Sequence, residues 1–333
     1  MTPEPAGTPD DHPSVPISLV IPVRDEETSI DSLLATIEAQ TAQPDEVVFV
    51  DGGSSDRTVA ILRAQARRDP RFTVVEAVGG ATPGKGRNIG VDAARNDWVV
   101  MTDAGIRLEP TWLERLWATH LSEPAAEVVY GNYEFDLRSF FEECAAVAYG
   151  PPKWDTPAGR SRGPTVVSCL VHRRAFQAVG GFVDLRAGED EMFLTALEGA
   201  GVRSAWAPAA TVWWRLRPDI RSNFERFRSY SFTYAMAGRQ AHWQYRMARG
   251  YVPVAVGLVL AGIHSPRWLL LPAATVGSRV GRRVAAHRPD MEELRLPGPA
   301  RLALITALIL GNDVAAAVGW WQATAKKRAV AAV

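Results

Sequence analysis

Ile17-Ser18-Leu19-Val20-Ile21-Pro22-Val23-Arg24-Asp25-Glu26-Glu27 carries the first architectural signal of this chain. A short β-branched apolar run, stopped by proline and followed at once by charge, reads as a buried strand that delivers polar groups to one rim. Thr28–Gln40 follows with Ile30, Leu33, Leu34 and Ile37 at helical spacing. Glu46–Val50 reads as a second strand, and Ser54-Ser55-Asp56 can cap a helix over Val59–Ala66. Phe72–Val75 and, after another helix, Asp97–Met101 continue the alternation as far as about Trp214. Such repetition predicts an α/β fold with a doubly wound, mostly parallel sheet. Ligands of these sheets bind beyond the carboxyl ends of the strands. Those ends carry Arg24-Asp25-Glu26, Asp51-Gly52-Gly53-Ser54 and Thr102-Asp103-Ala104-Gly105, so one rim is the expected site.

Composition narrows the class. The 333 residues balance 37 Lys+Arg against 37 Asp+Glu, which argues against a surface built to grip nucleic acid. Two cysteines, Cys144 and Cys169, can supply neither a disulfide framework nor a four-ligand zinc site, and they point to a reducing compartment. Met1–Val15 is rich in Pro, Asp and Thr with no leader or anchor pattern. It is expected to be a disordered tail on a chain that begins in the cytoplasm, with a catalytic domain over 16–214.

Beyond that the character changes. Residues 215–250 carry eight Arg against Asp219 and Glu225, interleaved with Phe224, Phe227, Tyr230, Phe232, Tyr234, Trp243 and Tyr245, a pattern of basic and aromatic amphipathic helices. Residues 251–333 hold apolar runs at Tyr251–Ile263, Trp268–Gly277 and Leu302–Trp321, the last interrupted by Asn312-Asp313. The first two are shorter than the roughly 20 residues a span requires, so a re-entrant hairpin or interfacial helices are expected. Arg246, Arg249, Arg279, Arg282 and Arg283 flank the hairpin, and Lys326-Lys327-Arg328 follows the last run. Basic flanks on both sides suit the cytoplasmic leaflet, and the alternative is an ordinary helical subdomain.

Two phosphate-site look-alikes fail on inspection. Gly79-Gly80-Ala81-Thr82-Pro83-Gly84-Lys85 has P-loop spacing, but Gly86 stands where the magnesium-binding Ser or Thr belongs. Gly84-Lys85-Gly86-Arg87-Asn88-Ile89-Gly90 imitates a dinucleotide fingerprint with the wrong last spacing, in the third crossover. A glycine-rich turn entering a helix beside Lys85 and Arg87 still offers N–H groups and charge to an anion.

Taken together, five elements resemble family 2 glycosyltransferases. Val20–Glu27 resembles that family's V-I-P-x-x-N-E-E strand, and Val50–Thr58 its D-G-S-S-D-G-T strand end with one extra Gly. Gly86–Gly90 is similar to A-R-N-x-G, and Thr102–Gly105 stands where the family carries D-x-D. Gly180-Gly181-Phe182 and Gly188-Glu189-Asp190-Glu191 resemble the acceptor-side G-G-F and E-D pair. The resemblance implies a GT-A fold, a nucleoside-diphosphate-sugar donor and inverting transfer for a cell-envelope polysaccharide. It matches Asp51 to the carboxylate holding the base, Glu26 to the acid near the nucleoside, and Arg87 to the residue beside the donor phosphates. Asp103 falls near ribose and metal, and Asp190 is the catalytic base, supported by Glu189. Pro22, Lys85 and Asn88 complete the donor-binding set. A carboxylate that takes the acceptor proton, and positive charge that meets the departing diphosphate, are what inverting transfer requires.

Two departures concern the metal. Gly105 replaces the second Asp of D-x-D, and Val212-Trp213-Trp214 lacks the His often found after the last core strand. A Mg²⁺ or Mn²⁺ ion would keep Asp103 as its one protein ligand, so either the diphosphate carries the ion or Lys85, Arg87, Arg215 and Arg217 replace it. The expected acceptor is a hydroxyl of a lipid-linked or polymeric glycan. The alternatives are a polyprenyl-phosphate acceptor, or a non-catalytic sugar-nucleotide or glycan-binding module on the membrane surface. Tyr130–Glu134 and Pro151–Trp154 offer aromatics that can stack on sugar or pack in the core.

Overall fold

The structure, a computed structural model, describes residues 13–156, 158–241, 243–288 and 298–331. The chain separates into two units. The first runs to Asp136 and resumes over Trp154–Arg215; the second comprises Leu137–Lys153 and the chain from Leu216 onward.

The first unit begins with β1 (Ser14–Val23), α1 (Ile30–Glu38), β2 (Gln43–Asp51), α2 (Thr58–Arg68), β3 (Phe72–Glu76), α3 (Pro83–Ala93) and β4 (Trp98–Met101). It continues through β5 (Ile106–Leu108), α4 (Trp112–Ser122) and β6 (Val128–Phe135). After α5 (Phe140–Tyr149) of the second unit come β7 (Trp154–Thr156), β8 (Gly159–Ser161), β9 (Cys169–His172), α6 (Arg173–Ala178), α7 (Glu189–Gly199) and β10 (Ser204–Trp214). Eight strands form one sheet in the order β3-β2-β1-β4-β9-β6-β10-β5. The β3-β2-β1-β4 half is parallel throughout, as the strand–helix alternation predicts. The other half is mixed: β9 runs antiparallel to both β4 and β6, and β5 antiparallel to β10. Ser14 and Val15, read as tail from the sequence, open β1 instead, because Gln43 and Pro44 give them a parallel partner.

Burial explains the strands. Val20, Val48, Val50, Val99, Met101 and Val171 are almost fully buried in one core cluster, and the intervening Leu19, Val47, Phe49 and Val100 are buried too, which suits continuous apolar runs. Cys169 is wholly buried. On one face Phe176, Phe182 and Phe193 form an aromatic block, with Phe182 and Phe193 stacked at 4.2 Å.

In the second unit α8 (Ile220–Met236), α9 (Gln244–Gly250), α10 (Val252–Ile263), α11 (Leu270–Ala286) and α12 (Pro299–Ala331) join α5. Gly319 of α12 leaves no room for a Cβ against the Arg228 carbonyl of α8, so the two backbones touch. Polar residues fix the register there: Asn223 donates to Asn312 at 2.7 Å and the Ser231 hydroxyl to the Ala316 carbonyl at 2.6 Å. Asp313 accepts from the Tyr251 hydroxyl at 2.6 Å and pairs with Arg279 at 2.5 Å. Gln244–Ile263, at 20 residues, and Pro299–Ala329, at 31, are long and apolar enough to cross a membrane by length and composition. Their surroundings differ. The most apolar window of the first is 6% buried and that of the second 39%, so α12 is in part a core helix of its own unit. The sequence reading treated Tyr251–Ile263 as too short to span; α9 and α10 together make a longer helical stretch.

Candidate active site

The expected rim is built by hydrogen bonds between loops. Asp25, at the left-handed φ of 54°, accepts from the Ser55 N–H at 2.8 Å, and its own N–H donates to the Ser54 hydroxyl at 2.9 Å. A non-glycine residue in that region costs about 1–3 kcal/mol and persists only when neighbours over-determine it. Here they do: Glu26 N–H donates to the Thr58 hydroxyl, and Glu27 N–H to Asp56. Glu26 also starts α1, its carbonyl accepting from Ser29 and Ile30 and its carboxylate pairing with the Ser29 hydroxyl. Buried Asp51 closes its own turn, accepting from the N–H groups of Gly53 and Ser54 and from the Ser54 hydroxyl at 2.5 Å.

The glycines of the look-alike motif have a packing reason. A Cβ on Gly90 would collide with a γ-methyl of Val20, one on Gly86 would lie 3.1 Å from the Pro22 Cβ, and one on Gly84 2.5 Å from the Val183 carbonyl oxygen. Their absence lets α3 lie directly on β1. Thr82 caps α3 by accepting from Lys85 N–H at 3.2 Å, and the Lys85 ammonium reaches the Gly80 carbonyl at 3.4 Å.

That close approach drives Arg87 inward. Its side chain is 1% exposed, yet it holds three carboxylates. Nη2 donates to Asp103 at 2.7 Å, while Nη1 donates to Asp190 at 2.9 Å and Glu189 at 3.3 Å. Nε has no hydrogen-bond partner, and the guanidinium carbon stands 5.2 Å from the Phe182 ring centre. Glu189 is buried, whereas the Asp103 and Asp190 side chains are each 42% exposed. Burial pushes Glu189 up to about 7, with Asp190 adding to the rise and Arg87 opposing it. Asp190 is raised in the same way by its shielding, against the pull of Arg87 and with help from Asp103. Burial alone would lower the Arg87 pKa; the three carboxylates more than reverse that. One cation cannot fully neutralise three anions, so the cluster titrates as a unit.

Asp190 also faces outward. It lines a cleft of about 630 Å³ with Tyr130, Trp154, Glu191, Glu198 and Trp206 among its walls. The sequence reading noted the aromatics around Tyr130 and Trp154; it missed Trp206, Glu191 and Glu198 as wall residues. The i, i+1, i+8 spacing of Asp190, Glu191 and Glu198 on α7 was the available signal.

The residues present do not fit a protein-built divalent site. Among the described residues no three His, Cys, Asp or Glu side chains converge to hold a metal, and Asp103 and Asp190 are bridged by Arg87. A side chain on Gly105 would meet nothing within 4 Å, so the second Asp is missing from open space.

Residues 18–177, which contain the β1 and β2 loops, Arg87 and Asp103, match the sequence profile described as Glycosyl transferase family 2. Residues 18–177, just under half of the chain, thus form a family 2 glycosyltransferase domain. The chain is 27% identical over 258 residues to the succinoglycan biosynthesis protein ExoO of Rhizobium meliloti, covering 70% of this chain and 73% of that one. Over 105 residues it is 36% identical to an undecaprenyl-phosphate 4-deoxy-4-formamido-L-arabinose transferase of Pseudomonas aeruginosa, covering 30% of this chain and 31% of that one. The chain spans about a third of the length of several curated relatives it matches, 33, 38 and 31%. Among solved structures, the mannosyltransferase PcManGT of Pyrobaculum calidifontis, in complex with GDP-Man and Mn²⁺, aligns with a TM-score of 0.53 at 19% identity, covering 93% of this chain and 88% of that one. At that identity the likeness establishes the GT-A fold.

Within this family 2 domain some expected donor contacts have other occupations. Asn88 spends both ends of its amide on Phe182, donating to its carbonyl at 2.8 Å and accepting from its N–H at 2.9 Å. It ties α3 to the Gly180-Gly181-Phe182 turn, whose glycines have φ of 76° and 68°. Arg87 was expected beside the donor phosphates; two of its nitrogens are committed to carboxylates. Half-buried Pro22, the last residue but one of β1, is the surface that Gly86 rests on. Arg215 is exposed at the end of the first unit, and Arg217 belongs to the second.

Proposed function

We propose that the chain is an inverting glycosyltransferase that moves a sugar from a nucleoside-diphosphate-sugar to a hydroxyl of a lipid-linked or polymeric glycan. The observation that supports this reading best is the double position of Asp190, held by Arg87 on one side and open to the cleft on the other. In this mechanism the acceptor oxygen attacks the anomeric carbon and its proton passes to the Asp190 carboxylate. The bond to the diphosphate breaks with its electron pair leaving on the diphosphate oxygen. A base with a raised pKa takes a proton more readily, which suits the role. Arg87 orients the carboxylate, while Lys85 on the first turn of α3 offers charge to the leaving group. Asp51 and Glu26, at the ends of the first two parallel strands, face the nucleoside in this reading, beyond their part in the loops.

A second reading, with polyprenyl phosphate as acceptor, draws on the likeness to the Pseudomonas transferase. The two separate on one variant. Asp190→Asn lowers transfer to a hydroxyl about 10²–10⁴-fold while donor binding persists, the usual scale for a general base. An ionised phosphate acceptor has no proton to lose, so near-normal turnover in that variant would overturn the hydroxyl reading.

The second unit is the membrane tether in this proposal, at the cytoplasmic face. From Gln244 to Arg288 there are seven Arg and no Asp or Glu, and Val252, Leu258, Val259, Ile263, Leu269 and Leu270 are each about half or more exposed. Exposed apolar faces flanked by Arg are what an interfacial helical hairpin presents to anionic lipid.

A further inference from the structure

The cleft beside Asp190 has a chemistry of its own. Its ionisable walls are Asp190, Glu191, Glu198 and Tyr130, and among the described residues no Lys, Arg or His lines it. Burial raises the Tyr130 pKa, so its hydroxyl stays a neutral donor and acceptor. Glu191 and Glu198 join Asp190, itself paired with Arg87, on α7, and carboxylates lining a cleft disfavour an anion there.

Opposite stands an aromatic corner. Trp206 meets Trp154 edge-on at 5.6 Å and 82°, and Tyr130 at 5.4 Å. Gly163, at φ 105°, holds Trp154 in place: a Cβ there would lie 3.1 Å from the indole nitrogen. Trp154 is 47% exposed, so part of its ring is open at the cleft. A flat apolar face beside a row of acceptor oxygens suits a pyranose, whose C–H face stacks while its hydroxyls donate.

We propose that this cleft is a carbohydrate subsite for the acceptor, selecting neutral or amino sugars and excluding uronic acids and phosphorylated groups. The proposal rests on Asp190 being the base, and it specifies the acceptor class that the base meets. Stacking on Trp206 and Trp154 places the ring; Glu191 and Glu198 set the charge filter. An amino sugar gains from the filter, a neutral one is indifferent to it, and an anion is turned away.

Tryptophan fluorescence and saturation-transfer NMR on the full chain test it. The probes are methyl glycosides and trisaccharides of glucose, galactose, mannose and N-acetylglucosamine, the trimer of glucosamine, trigalacturonate and farnesyl phosphate. Neutral or cationic saccharides should bind saturably, and the two anions at least about tenfold more weakly. Trp206→Ala should weaken saccharide binding about tenfold or more, as loss of a stacking platform does, with Trp206→Phe retaining most of it. Glu198→Lys should narrow the gap between neutral and anionic probes. Anions binding as well as neutral sugars, no binding by any neutral or cationic probe, or an indifferent Trp206→Ala would each overturn the proposal.

Asp190→Asn separates this idea from the one beneath it. Saccharide binding without any Asp190-dependent transfer would sink the catalytic reading and leave the subsite standing. Transfer to a neutral acceptor that survives intact in Trp206→Ala would do the reverse.

Discussion

Phe193 and Val259 are both apolar helical residues, yet Phe193 is 1% exposed beneath Phe182 and Phe176 while Val259 is 61% exposed on α10. The contrast extends to the charges. In the first unit the deeply buried Arg87 gathers Asp103, Glu189 and Asp190, the last of which also lines the cleft. Around the exposed hairpin of the second unit, Arg residues occur without acidic counterparts in the same stretch. The first unit satisfies itself, with apolar groups inside and carboxylates concentrated where chemistry is expected. Among the described residues the second leaves apolar side chains of α10 and α11 exposed, and a contiguous surface of that kind on a stable protein marks an interaction face.

The sharpest way to break that contrast is Arg87→Met. Removing the cation leaves three carboxylates around one buried space, and truncating one partner of a buried ion pair costs about 3–5 kcal/mol. Urea denaturation should record a loss of that size, with activity falling as the Asp190 carboxylate loses its orientation. A variant as stable as the parent would mean that the carboxylates simply take up protons and that the hub has no structural part.

Next in size is the pair that opens the comparison. Phe193→Ala should cost about 3–5 kcal/mol, because it opens a cavity in the aromatic block. Val259→Ser should change stability by less than about 0.5 kcal/mol, as exposed substitutions do, yet weaken flotation with anionic vesicles. If Val259→Ser destabilises the protein as a core change would, that face is covered within the folded chain and the tether idea fails.

The two units were also unequally legible. Val20, Val48 and Val50 announced parallel strands because a strand buried on both faces has no polar alternation to hide it. The carboxylates at the strand ends followed from the same reading. The partners of Arg87 did not, because Glu189 and Asp190 lie about a hundred residues away and the pairing is set by how closely α3 sits on β1. The three glycines carried that information, but in the guise of a phosphate-loop spacing. The antiparallel β9 was hidden because Thr165–Val171 reads as an apolar run in either direction. In the second unit apolar length alone could not separate α12, part core helix, from α10, whose face stays open; that distinction lives in which neighbours fold against each.

The smallest effect is a slope with pH, and it locates the charge cost in the first unit. Glu189 has a folded pKa of about 7 against an ordinary 4.5, because burial and Asp190 disfavour its charge more than Arg87 favours it. Between those values the folded protein keeps a proton that the unfolded chain has released. Stability from this group is therefore present at low pH, declines as pH rises through the window, and is level above about 7. Glu189→Gln cannot titrate, so its stability relative to the parent should improve from pH 5 to pH 8. Asp219, the exposed cap of α8, is shifted the other way, chiefly by accepting from the Ser222 N–H. Its effect is confined to pH values below its ordinary 3.8, outside the range compared. Urea midpoints of parent and variant at the two pH values check the point. A difference that is the same at pH 5 and pH 8 would show Glu189 ionised throughout, held by Arg87 as an ordinary ion pair, and the proton shared by the cluster would have to reside on Asp190 instead.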